Sequence, residues 1–187
     1  MSTMEYTLIQ SARKSIGLRV LPDGSVEFRA PRRIRKSEID TFVRSKEAWI
    51  LKTQQKLSKQ AMDASSDGIL TAEEIRELAD RALKVIPERV KYYAPLVGVT
   101  YGRITIRNQR TRWGSCSSGG NLNFNCLLML APPEVLDSVV VHELCHRLEM
   151  NHSPRFYAEV LRVYPDYRRC ERWLKEHGTA LMLRMPH

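Results

Sequence analysis

The run 141-VHELCHRLEMNHSPRFY-157 places His142 and His146 four residues apart, with Glu143 between them and His152 following. On a helix, residues i and i+4 share a face one turn apart, so both imidazoles can aim at one point. Glu143 is rotated by about 100° from His142, close enough to reach a water held there without taking a ligand position. Three neutral imidazoles with an open fourth position suit zinc, which lowers the pKa of a bound water to roughly 7. A carboxylate placed like Glu143 can then take the proton as the water attacks a carbonyl and return it to the leaving amine. The pattern predicts about one zinc ion per chain, on His142, His146 and His152, with Glu143 as catalytic base.

The flanking residues support this reading. Leu136, Val139, Val140 and Leu144 keep helical spacing, with Val141 and Leu148 beside them, and Pro132-Pro133-Glu134 suits a helix start. His152 falls where the chain can fold back after that helix. Ser153-Pro154 reads as the N-cap and first position of a next helix carrying Phe156, Val160 and Leu161. The histidine spacing matches HExxHxxGxxH, except that Glu149 stands in the place of the glycine. Asn151 is then the residue best able to take a left-handed conformation in the turn. Glu149 and Glu159 are carboxylate rivals for the third ligand position, Glu159 the stronger. His152 is preferred because its reach requires only one turn of chain.

Upstream, Gly102–Arg107 and Leu122–Leu130 read as two strands of a β-hairpin around the loop Ser117–Asn121. Thr71 and Glu74 form a capping box for a long helix whose apolar series, Ile75 to Tyr93, runs through Pro87 in phase and should stop by Pro95 or Gly98. The first thirty residues read as strands at Tyr6–Ile9, Ser15–Val20 and Ser25–Ala30, with a turn at Pro22-Asp23-Gly24. A helix is expected from about Ser37 to Lys59, with Ile39, Phe42, Val43, Trp49, Ile50 and Leu57 on one face. The small, polar run Ala61–Gly68 reads as a linker. The expected organisation is an N-terminal strand and basic-helix unit (1–60), a linker (61–70) and a catalytic domain (71–187). The last helix should run from Pro165 past Trp173 and Leu174 to Gly178, leaving TALMLRMPH as an edge strand or apolar packing.

No apolar run approaches the ~20 residues of a membrane span, and the N-terminus has no apolar signal core, so a cytoplasmic protein is expected. Four cysteines without a CxxC pair argue against a zinc ribbon and read as buried thiols. Thirty basic residues against twenty-one acidic ones give a net charge of +9. The clusters at Arg32–Lys36, Arg110–Arg112 and Arg168–Arg169 are where nucleic acid or another polyanion could bind.

The runs 108-NQRTRWGSCSSGGNLNFN-125 and 130-LAPPEVLDSVVVHELCHRLEMNHSPRFY-157, with 12-ARKSIGLRVLPDGSVEFRAP-31 and the basic helix after it, resemble the YgjP-like metallopeptidase family, whose relatives include the SprT-like proteases. The resemblance implies an α+β fold: a zincin-like core with a small sheet, an active-site helix and the three histidines on zinc. It also implies an edge strand that pairs with an extended peptide. The Trp113-Gly114-Ser115-Cys116 bend is the candidate rim, with Gly114 allowing close backbone approach. Trp113 could floor a pocket or belong to the core. Arg112 could grip a substrate carboxylate or phosphate, or form a salt bridge, for instance to Glu149. Tyr157, Tyr164, Tyr167, Arg155 and Arg112 are possible donors to the developing oxyanion, and Asp137 or Asp166 could orient a ligand histidine.

Peptides or proteins are the expected substrates. The alternatives are a small phosphorylated substrate, attacked at a nucleotide phosphoanhydride, and a protease tethered to nucleic acid by its basic surface. A purely structural zinc site is the non-catalytic alternative, and it would have no need of Glu143.

Overall fold

Val26, Phe28 and Ala30 are buried while Glu27 and Arg29 alternate with them on the other face, and this strand forms the centre of a sheet. The computed structural model describes residues 5–21, 23–109 and 111–186, and of 60–67 the backbone alone. Pro22 of the expected turn, Arg110 of a basic cluster and His187 lie outside the described residues. The fold is α+β and divides into two units, Met1–Asp63 and Ala64–His187.

In the first unit, β1 (Thr7–Ser11), β2 (Gly17–Val20) and β3 (Val26–Pro31) form a sheet in the order β1-β3-β2. β3 runs parallel to β1 and antiparallel to β2. The single expected helix is two, α1 (Lys36–Ser45) and α2 (Glu47–Asp67), interrupted at Lys46 with φ −109° and ψ 3°. The Ser45 hydroxyl donates to Phe42 O at 2.7 Å, the local competition by which serine disfavours a helix interior. Ile39, Val43 and Ile50 close the core over Phe28, whereas Trp49 falls off that face and is 48% exposed. The run Ala61–Asp67, expected as linker, continues α2, and the helix stops at Gly68, whose φ is 75°. Its alanines favour helix more than its serines oppose it.

In the second unit, α3 (Ala72–Val97) starts on the expected capping box. The Thr71 side chain accepts from Glu74 N, and Thr71 N donates to the Glu74 carboxylate at 2.7 Å. Pro87 and Pro95 both lie inside this one helix, which ends on left-handed Gly98. β4 (Ile104–Arg107), β5 (Gly114–Cys116) and β6 (Leu122–Asn125) form a sheet in the order β4-β6-β5. β4 and β6 are parallel neighbours rather than a hairpin; the hairpin is β5–β6. The chain from 126 to 130 is a 3₁₀ turn, not strand, because Asn125 Oδ1 accepts from Leu127 N at 3.0 Å and caps it.

The helix carrying the motif, α4 (Pro133–Cys145), touches α3, α5 (Pro154–Val163), α6 (Tyr167–Leu183) and β5. It is therefore buried on nearly all sides, not along one stripe: Val135, Leu136, Val139, Val140, Val141, Leu144 and Cys145 are all in the core. Leu148 lies beyond its end and is exposed. Asp137 is held by Arg89 and by the Tyr93 hydroxyl at 3.1 Å, tying α3 to α4. α6 continues past Gly178 because that glycine packs on an indole: a Cβ there would lie 3.0 Å from Trp113 Cζ2. The C-terminal segment is helical to Leu183, Met185 is buried, and Leu70 N donates to Arg184 O at 2.8 Å. Among the described residues no helix is long and apolar enough to cross a membrane.

Candidate metal centre

α4 ends one residue short of His146, which caps it, so the two histidines of the motif straddle the last turn of a buried helix. Their Nε2 atoms lie 3.2 Å apart. The turn through Asn151 brings His152 back, and its Nε2 lies 3.0 Å from that of His142. Among the described residues these three form the group able to hold a metal, all three ligand atoms within 4.8 Å of one another. The turn needs no left-handed residue: no non-glycine among the described residues has positive φ, so Asn151 does not play the expected part. Ser153 N donates to Asn151 O at 2.8 Å instead, and the Ser153 side chain caps α5 as expected. The carboxylate rivals are not brought in. Glu159 is paired with Arg162 at 2.9 Å, and Glu149 contributes only its main-chain oxygen.

Whether a cation fits is decided by the outer nitrogens. His146 Nδ1 lies 3.1 Å from Glu149 O, and a carbonyl can only accept, so Nδ1 carries the proton and Nε2 a bare lone pair. Burial and the neighbouring imidazoles favour the neutral form of His142 and His146: the pKa of His142 is lowered to about 3, and that of His146 is also lowered. Tetrahedral zinc, with Zn–N near 2.0–2.1 Å, needs nitrogens about 3.3 Å apart. The two spacings quoted are close to that, and the donor set is the borderline-soft nitrogen type zinc prefers.

Beneath the cluster sits Phe156, fully buried. Its ring stacks on His146 at 4.5 Å between centroids and meets the edges of His142 at 4.8 Å and His152 at 5.0 Å. The sequence marked Phe156 only as an apolar position of α5. Its role depends on how α5 folds back under α4.

Glu143 is 5% exposed and lies against β5. A Cβ on Gly114 would come within 2.6 Å of its Oε1 and 2.7 Å of its Cγ, so only glycine admits the carboxyl group here. Burial raises the Glu143 pKa to about 8, opposed by the charge of Arg112. Arg112 is exposed and makes no ion pair with Glu149 among the described residues. Trp113 is half-buried and packs against the core and Gly178. Ser115 accepts from Asn123 Nδ2 at 3.2 Å. Tyr157 is half-buried, its ring 6.3 Å from that of His152, with the Arg168 guanidinium 4.3 Å from its centroid.

Of the other expected donors, Tyr164 is spent on Glu134 O at 2.9 Å, and the Tyr167 hydroxyl lies 2.8 Å from His142 Nδ1. Asp137 and Asp166 do not reach a histidine: the first is held by Arg89, and the second is exposed beside Arg169. Cys145 is buried, its thiol pushed up to about 12 by burial, as suits a packing residue.

Three converging imidazoles beside a buried carboxylate are a set of groups that metal-dependent hydrolases use. A family model describes the same class from sequence: the YgjP-like metallopeptidase domain matches residues 14–76 and 70–177, and the chain belongs to that family. It is a metallohydrolase of the metallopeptidase type. No curated sequence matches the chain. Among solved structures it is similar to the metallopeptidase zymogen of Pyrococcus abyssi abylysin, at 18% identity and TM-score 0.46 over 50% of this chain and 96% of that one. It is likewise similar to the metallopeptidase zymogen of Methanocaldococcus jannaschii jannalysin, at 20% identity and TM-score 0.43 over 48% of this chain and 93% of the other.

Proposed function

We propose that this metallohydrolase is a zinc-dependent peptidase whose chemistry is carried by residues 71–187. His142, His146 and His152 hold the ion, and Glu143 is the general base. The observation that carries the reading is the convergence of three Nε2 atoms, two of the pairs at 3.0 and 3.2 Å, on the helix that also carries a buried carboxylate. Zinc held there supplies a Lewis acid that polarises a carbonyl and acidifies water.

The remaining work falls to side chains and backbone of this chain. β5 is an edge strand packed on α4, so an extended peptide adding to it would run past Glu143. With its carboxyl kept ionised by the positive charge of a bound ion, which opposes the effect of burial, Glu143 takes one proton from the attacking water as that water's oxygen bonds to the scissile carbonyl carbon. The same carboxyl then gives that proton to the nitrogen as the C–N bond breaks, so the amine leaves neutral. Burial against Gly114 keeps competing water away from this carboxyl group. Arg112, Tyr157 and Arg155 are left as donors to the carbonyl oxygen, since Tyr164 and Tyr167 are otherwise engaged. The metallopeptidase family favours a peptide over a phosphoanhydride or a nucleic acid.

The test is Glu143→Gln assayed beside wild type on casein, a peptide library and nucleoside triphosphates. Retained metal with peptide turnover lowered by about 10²–10⁴-fold is the expected result. Unchanged peptide hydrolysis would refute the base, and phosphate release without peptide cleavage would refute the substrate class.

A further inference from the structure

The three histidines are not anchored alike. His146 is oriented by a main-chain carbonyl three residues along, a contact that no substitution at Glu149 removes. His142 is the hub, its Nε2 facing both other Nε2 atoms, and its outer nitrogen meets only a side chain. That side chain comes from 25 residues further on: the hydroxyl of Tyr167, the first residue of α6, 2.8 Å from His142 Nδ1.

We infer that Tyr167 is a positioning residue of the metal centre, its hydroxyl accepting the Nδ1–H of His142 and thereby turning the Nε2 lone pair toward the ion. This rests on the zinc reading above. A histidine that binds metal through Nε2 must carry its proton on Nδ1, and a buried N–H without an acceptor is costly. Tyr167 is 6% exposed, so water does not readily replace it. The Tyr167 and His142 rings are nearly parallel, 20° apart with centroids 5.9 Å from each other, and the offset brings the phenol oxygen within 2.8 Å of Nδ1. Among the described residues the hydroxyl has no other hydrogen-bond partner. Tyr167 is itself held from two sides: its N–H donates to Tyr164 O at 3.0 Å, and the Arg168 guanidinium lies 6.0 Å from its ring centroid. The start of α6 is thereby tied to the metal, which gives this helix a part in metal retention that its distance in sequence from the motif hides.

The full chain, stripped of metal and titrated with zinc against a chromophoric chelator, tests this in wild type and Tyr167→Phe. Outer partners of ligand histidines contribute about 10–100-fold in metal affinity. The expected result is a loss of that size in Tyr167→Phe, with the melting temperature of the zinc-free protein unchanged. A residue that only packs would do the reverse, lowering the zinc-free melting temperature and leaving the affinity within twofold, and that outcome overturns the inference. A second readout needs no variant. In nitrogen-15 spectra of zinc-loaded wild type, the His142 Nδ1 proton should be protected from exchange and close to the Tyr167 ring protons. Bulk-rate exchange at that proton overturns the inference. Wild type that takes up no zinc overturns instead the metal reading on which it depends.

Discussion

Glu143 and Gly114 are held so close that their identities depend on each other. Adding one methyl at Gly114 meets the carboxyl group at 2.6 Å, and neither the β5 backbone nor the buried α4 can easily give. Gly114→Ala should therefore cost about 1–3 kcal/mol in denaturant unfolding and depress peptide turnover more than it depresses stability. Phe156 has the opposite problem, since its loss would leave a hole under three imidazoles. Phe156→Ala is expected to cost about 3–5 kcal/mol, with zinc retention weakened in the same chelator titration. His142, Glu143 and His146 were legible in the sequence because their relation is a property of one helical turn, and His152 because it lies one short turn further. Phe156 and Tyr167 were not, since their roles arise where α5 and α6 return to α4, and no local spacing records that return.

Asn125 organises the elements around the site. It is fully buried, donates from Nδ2 to Gln109 O at 2.5 Å and Arg112 O at 3.0 Å, and accepts from Leu127 N. One amide thus ends β6, starts the 3₁₀ turn and pins the loop that leads to Trp113 and Gly114. Asn125→Ala should lower stability by about 1–3 kcal/mol and speed amide exchange across residues 111–116, the segment proposed to meet substrate. The apolar run after Asn125 was expected to continue the strand, because a short apolar stretch does not distinguish strand from helix by period alone. The capping box at Thr71 and the N-cap at Ser153 were readable, since a cap is a contact over three residues. The break at Lys46 and the passage of α6 through Gly178 were not. The first involves a serine competing for main chain, and the second a Trp113 indole that needs the space a side chain would fill.

Across the molecule, both sheets repeat one plan: a central third strand, parallel to the first and antiparallel to the second. The parallel pairing escaped sequence reading because it joins strands separated by an intervening strand, and only the hairpin partner is close along the chain. Every residue of the proposed metal site belongs to Ala64–His187. A ligand that binds only the folded state stabilises it, by about 2.7 kcal/mol at a hundredfold excess over its dissociation constant. Zinc should therefore raise, and a chelator lower, the unfolding midpoint followed by probes in Ala64–His187; no shift with either would contradict a site in that unit.

The metal content of purified protein, measured by mass spectrometry after growth in zinc-replete medium, decides whether the three histidines hold zinc. Wild type should carry about one zinc per chain, and His142→Ala or His146→Ala proteins that still fold essentially none. Metal-free wild type, or full occupancy in the folded variants, would show that they do not.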